Sequence, residues 1–270
     1  FEMYGIAAKH LKKCFPNLKI GGPAVSYPMT DWTREFLGYV SEQSAPLDFF
    51  SWHLYSQTPD FVISIEKQVR ELLNEFGFEK SESILNEWNY VKDWNGDDWE
   101  YTLKSEKGIK GAAFTAAVME ASQSAPLDNL MYYDARPCAM NGLFSTDLVT
   151  KVLKGYYPFY MFNKLYELGT QVKSVTDDEY HVFACAAKGN GKYAVMVTHF
   201  NNDDSAPETE VKLTLHNIGI NAPCRICYYL LDDNHDCKLV REEKICSSEA
   251  VSYLNMPLFS TYLVTFESVE

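Results

Sequence analysis

Ser83-Ile84-Leu85-Asn86-Glu87-Trp88-Asn89-Tyr90 is an apolar pair running into a carboxylate flanked by two amides and two aromatics. The stretch reads as a buried strand that ends on a polar tip. Strands apolar on both faces belong to parallel sheets covered by helices, and in such sheets chemistry gathers where the strands end. Glu87 is therefore the first candidate for a catalytic group.

Working outward, Asp60 to Phe76 is spaced as a long helix ending at Gly77, and Phe49-Phe50-Ser51-Trp52-His53-Leu54-Tyr55 before it is a second strand. Further upstream, Asp31 to Gln43 reads as a helix with Asp31 as N-cap. Leu18 to Ala24 reads as a short strand whose Gly21-Gly22 opens a close-approach loop, and residues 2 to 14 have helical spacing. Downstream, Asp93-Trp94-Asn95-Gly96-Asp97-Asp98-Trp99 is a polar loop, and Ile109 to Gln123 an alanine-rich helix. Trp94 and Trp99 are either a platform for a sugar ring or folded back on the rim.

The pentapeptide Ser-Ala-Pro-Leu-Asp occurs twice, at 44–48 and at 124–128. Each copy stops a helix and launches a strand, the second running from Asn129 to Asp134; proline and the aspartate turn account for the stop. Four strand-helix units in a row describe part of a doubly wound sheet or of a (β/α)8 barrel. Aromatics and leucines between Phe144 and Gly169 suggest one last helix. After Gly169 the texture changes to short strands, at 182–187, 193–200, 210–215, 225–231 and 262–266, separated by turn clusters such as Gly189-Asn190-Gly191. That pattern implies an antiparallel sandwich. The expected division is therefore residues 1–170 as the parallel part and 171–270 as a β-sandwich.

Composition narrows the partners. The chain has 270 residues, 46% hydrophobic and 23% charged, with a formal net charge of −13. Nucleic acid or an anionic membrane surface requires a basic face, and no Lys/Arg cluster occurs. No apolar run approaches the roughly 18 residues of a membrane-spanning helix. Of the seven cysteines, Cys224 and Cys227 have C-x2-C spacing but no second pair to complete a zinc site, and they sit in a strand. No metal or other cofactor is expected. Cys237 and Cys246 are near enough in sequence for a local disulfide.

The motifs Gly21-Gly22-Pro23-Ala24, His53-Leu54-Tyr55, Asn86-Glu87-Trp88-Asn89 and Tyr133-Asp134-Ala135-Arg136-Pro137, with Asn141-Gly142-Leu143-Phe144, resemble in order the second half of the barrel of retaining glycosidases. The resemblance is closest to the β-xylosidase and α-L-iduronidase family. It implies a partial (β/α)8 TIM barrel, strands five to eight, followed by a β-sandwich. It implies that Glu87 is the nucleophile, that Tyr55 orients it, and that His53 donates to a substrate hydroxyl or to a carboxylate; read alone, His53 is equally a satisfied core histidine. Trp88 and Asn89 would bind or orient substrate. Asp134 and Arg136 would be either a structural ion pair or sugar-hydroxyl ligands.

The same family places its acid/base in an Asn-Glu-Pro motif at the end of strand four, and this sequence has none. The chain thus reads as starting in the helix after strand four, carrying the nucleophile but inactive alone, with a missing N-terminal barrel half or a second copy as partner. An oligo- or polysaccharide substrate, exo action on a pentoside, and secretion or a periplasmic location are the further implications. The competing reading is a non-catalytic carbohydrate-binding protein.

Overall fold

The computed structural model describes residues 1–176, 181–216, 224–245 and 250–268. They form two compact units, one of residues 1–91 and 122–133, the other of residues 92–121 and 134–270.

The first unit is built on a four-stranded parallel sheet in sequential order: β1 (Gly21–Val25), β2 (Phe49–Ser56), β3 (Glu82–Tyr90) and β4 (Asn129–Tyr132). Its helices are α1 (Glu2–Cys14), α2 (Asp31–Glu42) and α3 (Pro59–Glu75). Parallel neighbours taken in chain order are consecutive strands of a (β/α)8 barrel, and the fold class is a partial barrel followed by antiparallel sheets. Among the described residues β1 and β4 each pair on one side only. The core is Phe36, Leu37 and Val40 of α2, Val62, Ile65, Val69 and Leu73 of α3, and Phe50, Trp52 and Leu85 of the sheet. One cap differs from expectation: Thr30, not Asp31, precedes α2, because Thr30 has the extended backbone a cap requires and its Oγ1 accepts from the Thr33 N–H at 3.2 Å. Asp31 lies in the first turn, where a negative charge suits the helix dipole.

The repeated pentapeptide has one job in both places. Asp48 accepts from the Ile20 N–H at 2.7 Å and from Lys12 of α1 at 2.8 Å. Asp128 accepts from the Ser83 N–H at 2.8 Å and pairs with Arg70 of α3 at 3.3 Å. Each aspartate thus ties the start of a neighbouring strand to a basic residue of the helix before that strand. Both clamps stand where strands begin, the end of a barrel that carries stability rather than chemistry.

Among the described residues the second unit contains α4 (Gly96–Lys107), α5 (Ile109–Ser122), α6 (Tyr156–Tyr166) and eight strands. Helix α4 replaces most of the expected loop; Asp97 and Asp98 in its first turn and Lys104 and Lys107 in its last complement its dipole. Helix α6 is shorter than the run from Phe144 suggested, since Phe144 forms a bridge to Val152 instead. A six-stranded antiparallel sheet has the order β10-β9-β12-β7-β6-β5: Lys238–Ile245, Cys224–Leu231, Ser260–Ser268, Lys192–His199, Val182–Gly189 and Thr170–Val172. A two-stranded sheet, β8 (Thr209–Leu215) and β11 (Ala250–Met256), packs Leu213, Leu254 and Met256 against its inner face at Val197, Ile226 and Phe266. Its other face takes Ala112 and Ala116 of α5 and Met161 and Leu165 of α6. Strands β6 and β7 are joined by Asn190-Gly191, both at positive φ, the hairpin turn expected there. Cys224 and Cys227 lie on β9 as free thiols that burial pushes up; Cys246 lies outside the described residues.

Burial alone would raise the Asp48 carboxyl, yet the hydrogen bonds from Lys12 and Ile20 and the charges of Lys12 and Lys19 outweigh it and hold the group below its ordinary value. The stability this supplies is present above the ordinary carboxylate value and fades as pH falls through the lower folded value. Asp48→Asn should therefore lower stability at neutral pH by about 1–2 kcal/mol and flatten the acid limb of a pH series of urea melts. An unchanged acid limb would show that the clamp contributes nothing.

Candidate active site

Strand β2 alternates: Trp52, Leu54 and Ser56 are buried, while His53 and Tyr55 are half-buried on the opposite face. Strand β3 does not alternate simply. Trp52 is in register with Leu85, but His53 is in register with Glu87, so Asn86 is an extra residue. Such a bulge re-aims the side chains that follow it. Without it Asn86 would stand beside His53; with it Glu87 does.

Tyr55 consequently donates its hydroxyl to Glu87 Oε1 at 2.5 Å, and His53 Nδ1 lies 3.5 Å from Oε2. Each carboxylate oxygen has its own neighbour. The side chains stay partly open, 27% exposed for Glu87 and 20% for His53. Behind the bulge, the Trp52 indole donates to Ser83 Oγ at 3.1 Å, fixing β2 against β3. Gly21 is required in the adjoining strand, because a Cβ there would lie 2.1 Å from the Phe49 carbonyl oxygen. Other carboxylates at the strands of this unit, Asp48, Glu82 and Asp128, lie where β2, β3 and β4 begin. Only Glu87 stands toward the far ends.

The remaining residues singled out from sequence divide. Trp88 is buried edge-on against the Tyr132 ring, with centroids 5.6 Å apart. Asn89 is buried too; it donates to Tyr132 Oη at 3.1 Å and the Tyr133 carbonyl at 2.9 Å, and accepts from the Tyr90 N–H at 2.8 Å. Neither presents surface to a ligand. In the second unit Asp134 receives the Arg136 Nε at 2.8 Å, Nη2 at 2.5 Å and backbone N–H at 2.9 Å, an ion pair with the carboxylate buried and the arginine outside. Trp94 and Trp99 stack on each other, centroids 5.4 Å apart.

One group escaped the sequence reading. Burial pushes the Glu106 carboxyl up to about 8, against the pull of Lys107 and with a further push from Asp134. Neither of its oxygens has a hydrogen-bond partner among the described residues. Lys104-Ser105-Glu106-Lys107 looks like a solvated helical turn, and nothing in it signals burial.

Residues 1–125 match the family described as glycosyl hydrolases family 39. That part of the chain is similar to the family. A β-xylosidase of Geobacillus stearothermophilus is 29% identical over 92 residues, which is 34% of this chain and 18% of that protein. A glucosidase structure from Croceicoccus marinus superposes with a TM-score of 0.80 at 21% identity, over 100% of this chain and 64% of that one. A monomeric β-xylosidase from Caulobacter crescentus CB15 gives 0.74 at 16% identity, over 100% of this chain and 65% of that one. The chain thus spans less than two thirds of the length of each, and the structural likeness establishes the fold. The family resemblance read from the motif order of this chain holds.

Asn89→Ala removes three hydrogen bonds at the junction of β3 and the end of β4. The expected cost is about 2–3 kcal/mol, read as a lower urea midpoint. If Asn89 instead served a ligand, the midpoint would stay and only saccharide affinity would fall.

Proposed function

We propose that Glu87 is the nucleophile of a retaining glycoside hydrolase and that residues 1–170 are the nucleophile-bearing part of its barrel, with 171–270 supporting it. The observation that carries this is the carboxylate held by Tyr55 on one oxygen and His53 on the other, at the far ends of adjacent parallel strands. The relatives named β-xylosidase and glucosidase support a neutral glycoside as substrate.

In this reading Glu87 attacks the anomeric carbon as the bond to the leaving oxygen breaks, giving a glycosyl ester; water then attacks the same carbon and returns the carboxylate. The Tyr55 O–H fixes the direction of the carboxylate that attacks. His53 serves either Glu87 or a sugar hydroxyl. The leaving oxygen must take up a proton from a second carboxyl about 5–5.5 Å from the nucleophile. None of the strand-borne carboxylates at Asp48, Glu82 and Asp128 is placed for that role. The acid/base therefore comes from a segment or chain that adds to the open sides of β1 and β4, an edge being a template for a further strand. Loss of acid assistance costs about 10²- to 10⁴-fold in rate, so the 270 residues alone should turn over activated aryl glycosides far better than unactivated ones.

An activated 2-deoxy-2-fluoro xyloside should add its glycosyl mass to the peptide containing Glu87, and Glu87→Gln should abolish the label. Labelling elsewhere, or undiminished aryl glycosidase activity in Glu87→Gln, would remove Glu87 from the mechanism. Tyr55→Phe keeps the ring and deletes one hydrogen bond to a charged group, so kcat should fall roughly 10- to 100-fold with KM little changed. A change confined to KM would make Tyr55 a substrate contact instead.

A further inference from the structure

The segment that continues β3, the strand carrying Glu87, holds an indole in the open on a rigid support. Trp94 is 53% exposed and stacked on Trp99 with the planes 25° apart. An exposed large apolar side chain is ordinary on a loose loop, but this one is not loose. Asp93 Oδ1 accepts from the Asn95 N–H at 3.0 Å, and Thr102 Oγ1 accepts from the Lys92 N–H at 2.9 Å while donating to the Asp98 carbonyl at 2.9 Å. Tyr101, one turn beyond Asp98, donates to Asp204 Oδ2 at 2.5 Å and accepts from the Lys110 ammonium at 2.8 Å. Both ends of the segment are thereby anchored, with Trp94 stacked on Trp99 and half exposed between them.

The charge around it selects the ligand. Asp93, Asp97, Asp98 and Glu100 surround the indoles in sequence, while Lys92 is paired with Asp98 and Lys110 with Asp204. An anionic ligand would meet repulsion there. A flat apolar face with hydrogen-bond acceptors at its margin suits a neutral sugar ring, whose C–H face stacks on an aromatic plane while its hydroxyls donate to carboxylates and amides.

We propose that Trp94, backed by Trp99, is a platform for a neutral sugar ring, with Asp93, Asn95 and Asp97 as hydroxyl acceptors. This rests on the glycosidase reading for its substrate class, but the binding itself does not require Glu87 to react.

The test uses the full chain carrying Glu87→Gln, to leave saccharides intact, and measures calorimetric binding of neutral xylo-oligosaccharides of increasing length. Affinity should grow with length, and adding Trp94→Ala should remove about 3- to 10-fold of it for the longer ligands, with Trp94→Phe restoring part. Circular dichroism and the urea midpoint check that the variants fold. Oligosaccharides bearing glucuronic acid should bind more weakly than neutral ones of equal length. Equal affinity in the parent and Trp94→Ala, no measurable binding by the parent, or tighter binding of the acidic ligands would overturn the proposal. If the platform binds while the fluoroglycoside fails to label Glu87, the nucleophile assignment falls and the platform stands.

Discussion

One extra residue in β3 decides what the sheet presents. Side chains on a strand alternate faces, so a single inserted position exchanges the two faces for everything beyond it. Asn86 is that insertion, and because of it Glu87 rather than an amide lies in register with His53. The hydroxyl of Tyr55, two residues along β2 on the same face, then reaches the carboxylate. The cost falls on Asn86 itself, whose Oδ1 is buried without a hydrogen-bond partner among the described residues. An unsatisfied buried carbonyl costs about 1–3 kcal/mol, and such a cost is tolerated where geometry matters more than stability.

That tolerance depends on the opposite ends of the strands being over-determined. Asp48 and Asp128 each bind a backbone N–H of a neighbouring strand and a basic side chain of a helix, and Ser81 donates to the Leu47 carbonyl between them. The strand starts are thus pinned in register by charge-assisted bonds, and the strand ends inherit their relative positions. A repeat that looked in the sequence like a simple helix stop is the device that holds the far end of the sheet steady.

The legible parts of the chain were those where burial and sequence pattern agree. Phe49 to Tyr55 and Ile84 to Tyr90 announce themselves because apolar runs of strand length end on polar groups, whereas the link between Tyr55 and Glu87 came from the family resemblance of the motifs and not from alternation. The bulge was not legible, since Asn86 is chemically ordinary and only pairing with β2 reveals it as supernumerary. Strand β10 was missed because Lys238-Leu239-Val240-Arg241-Glu242-Glu243-Lys244-Ile245 is an edge strand, charged and mostly exposed, without an apolar face to read. Helix α4 was missed because its first turn is polar and aromatic, a composition shared by loops. Glu106 was invisible for a related reason: a glutamate between lysines signals solvent, and only packing from elsewhere in the chain buries it.

Glu106 has two counterparts, and together they qualify the formal charge. Burial pushes Glu66 of α3 up to about 7, partly offset by the Ser122 hydroxyl and the Lys67 charge, and pushes Glu120 of α5 far up against the hydrogen bond from Thr198. At neutral pH Glu106 is largely protonated, so the chain is less negative than its composition implies. The sign of the linkage is opposite to that of Asp48. A carboxyl whose folded value is raised contributes stability that is complete below its ordinary value and is lost as pH rises through the folded one, about 7 for Glu66 and about 8 for Glu106. Asp48 and Glu267, held low by lysine and arginine partners, lose their contribution in the acid direction. The two sets bracket a mildly acidic window in which the raised carboxyls are still neutral and the paired ones already ionised.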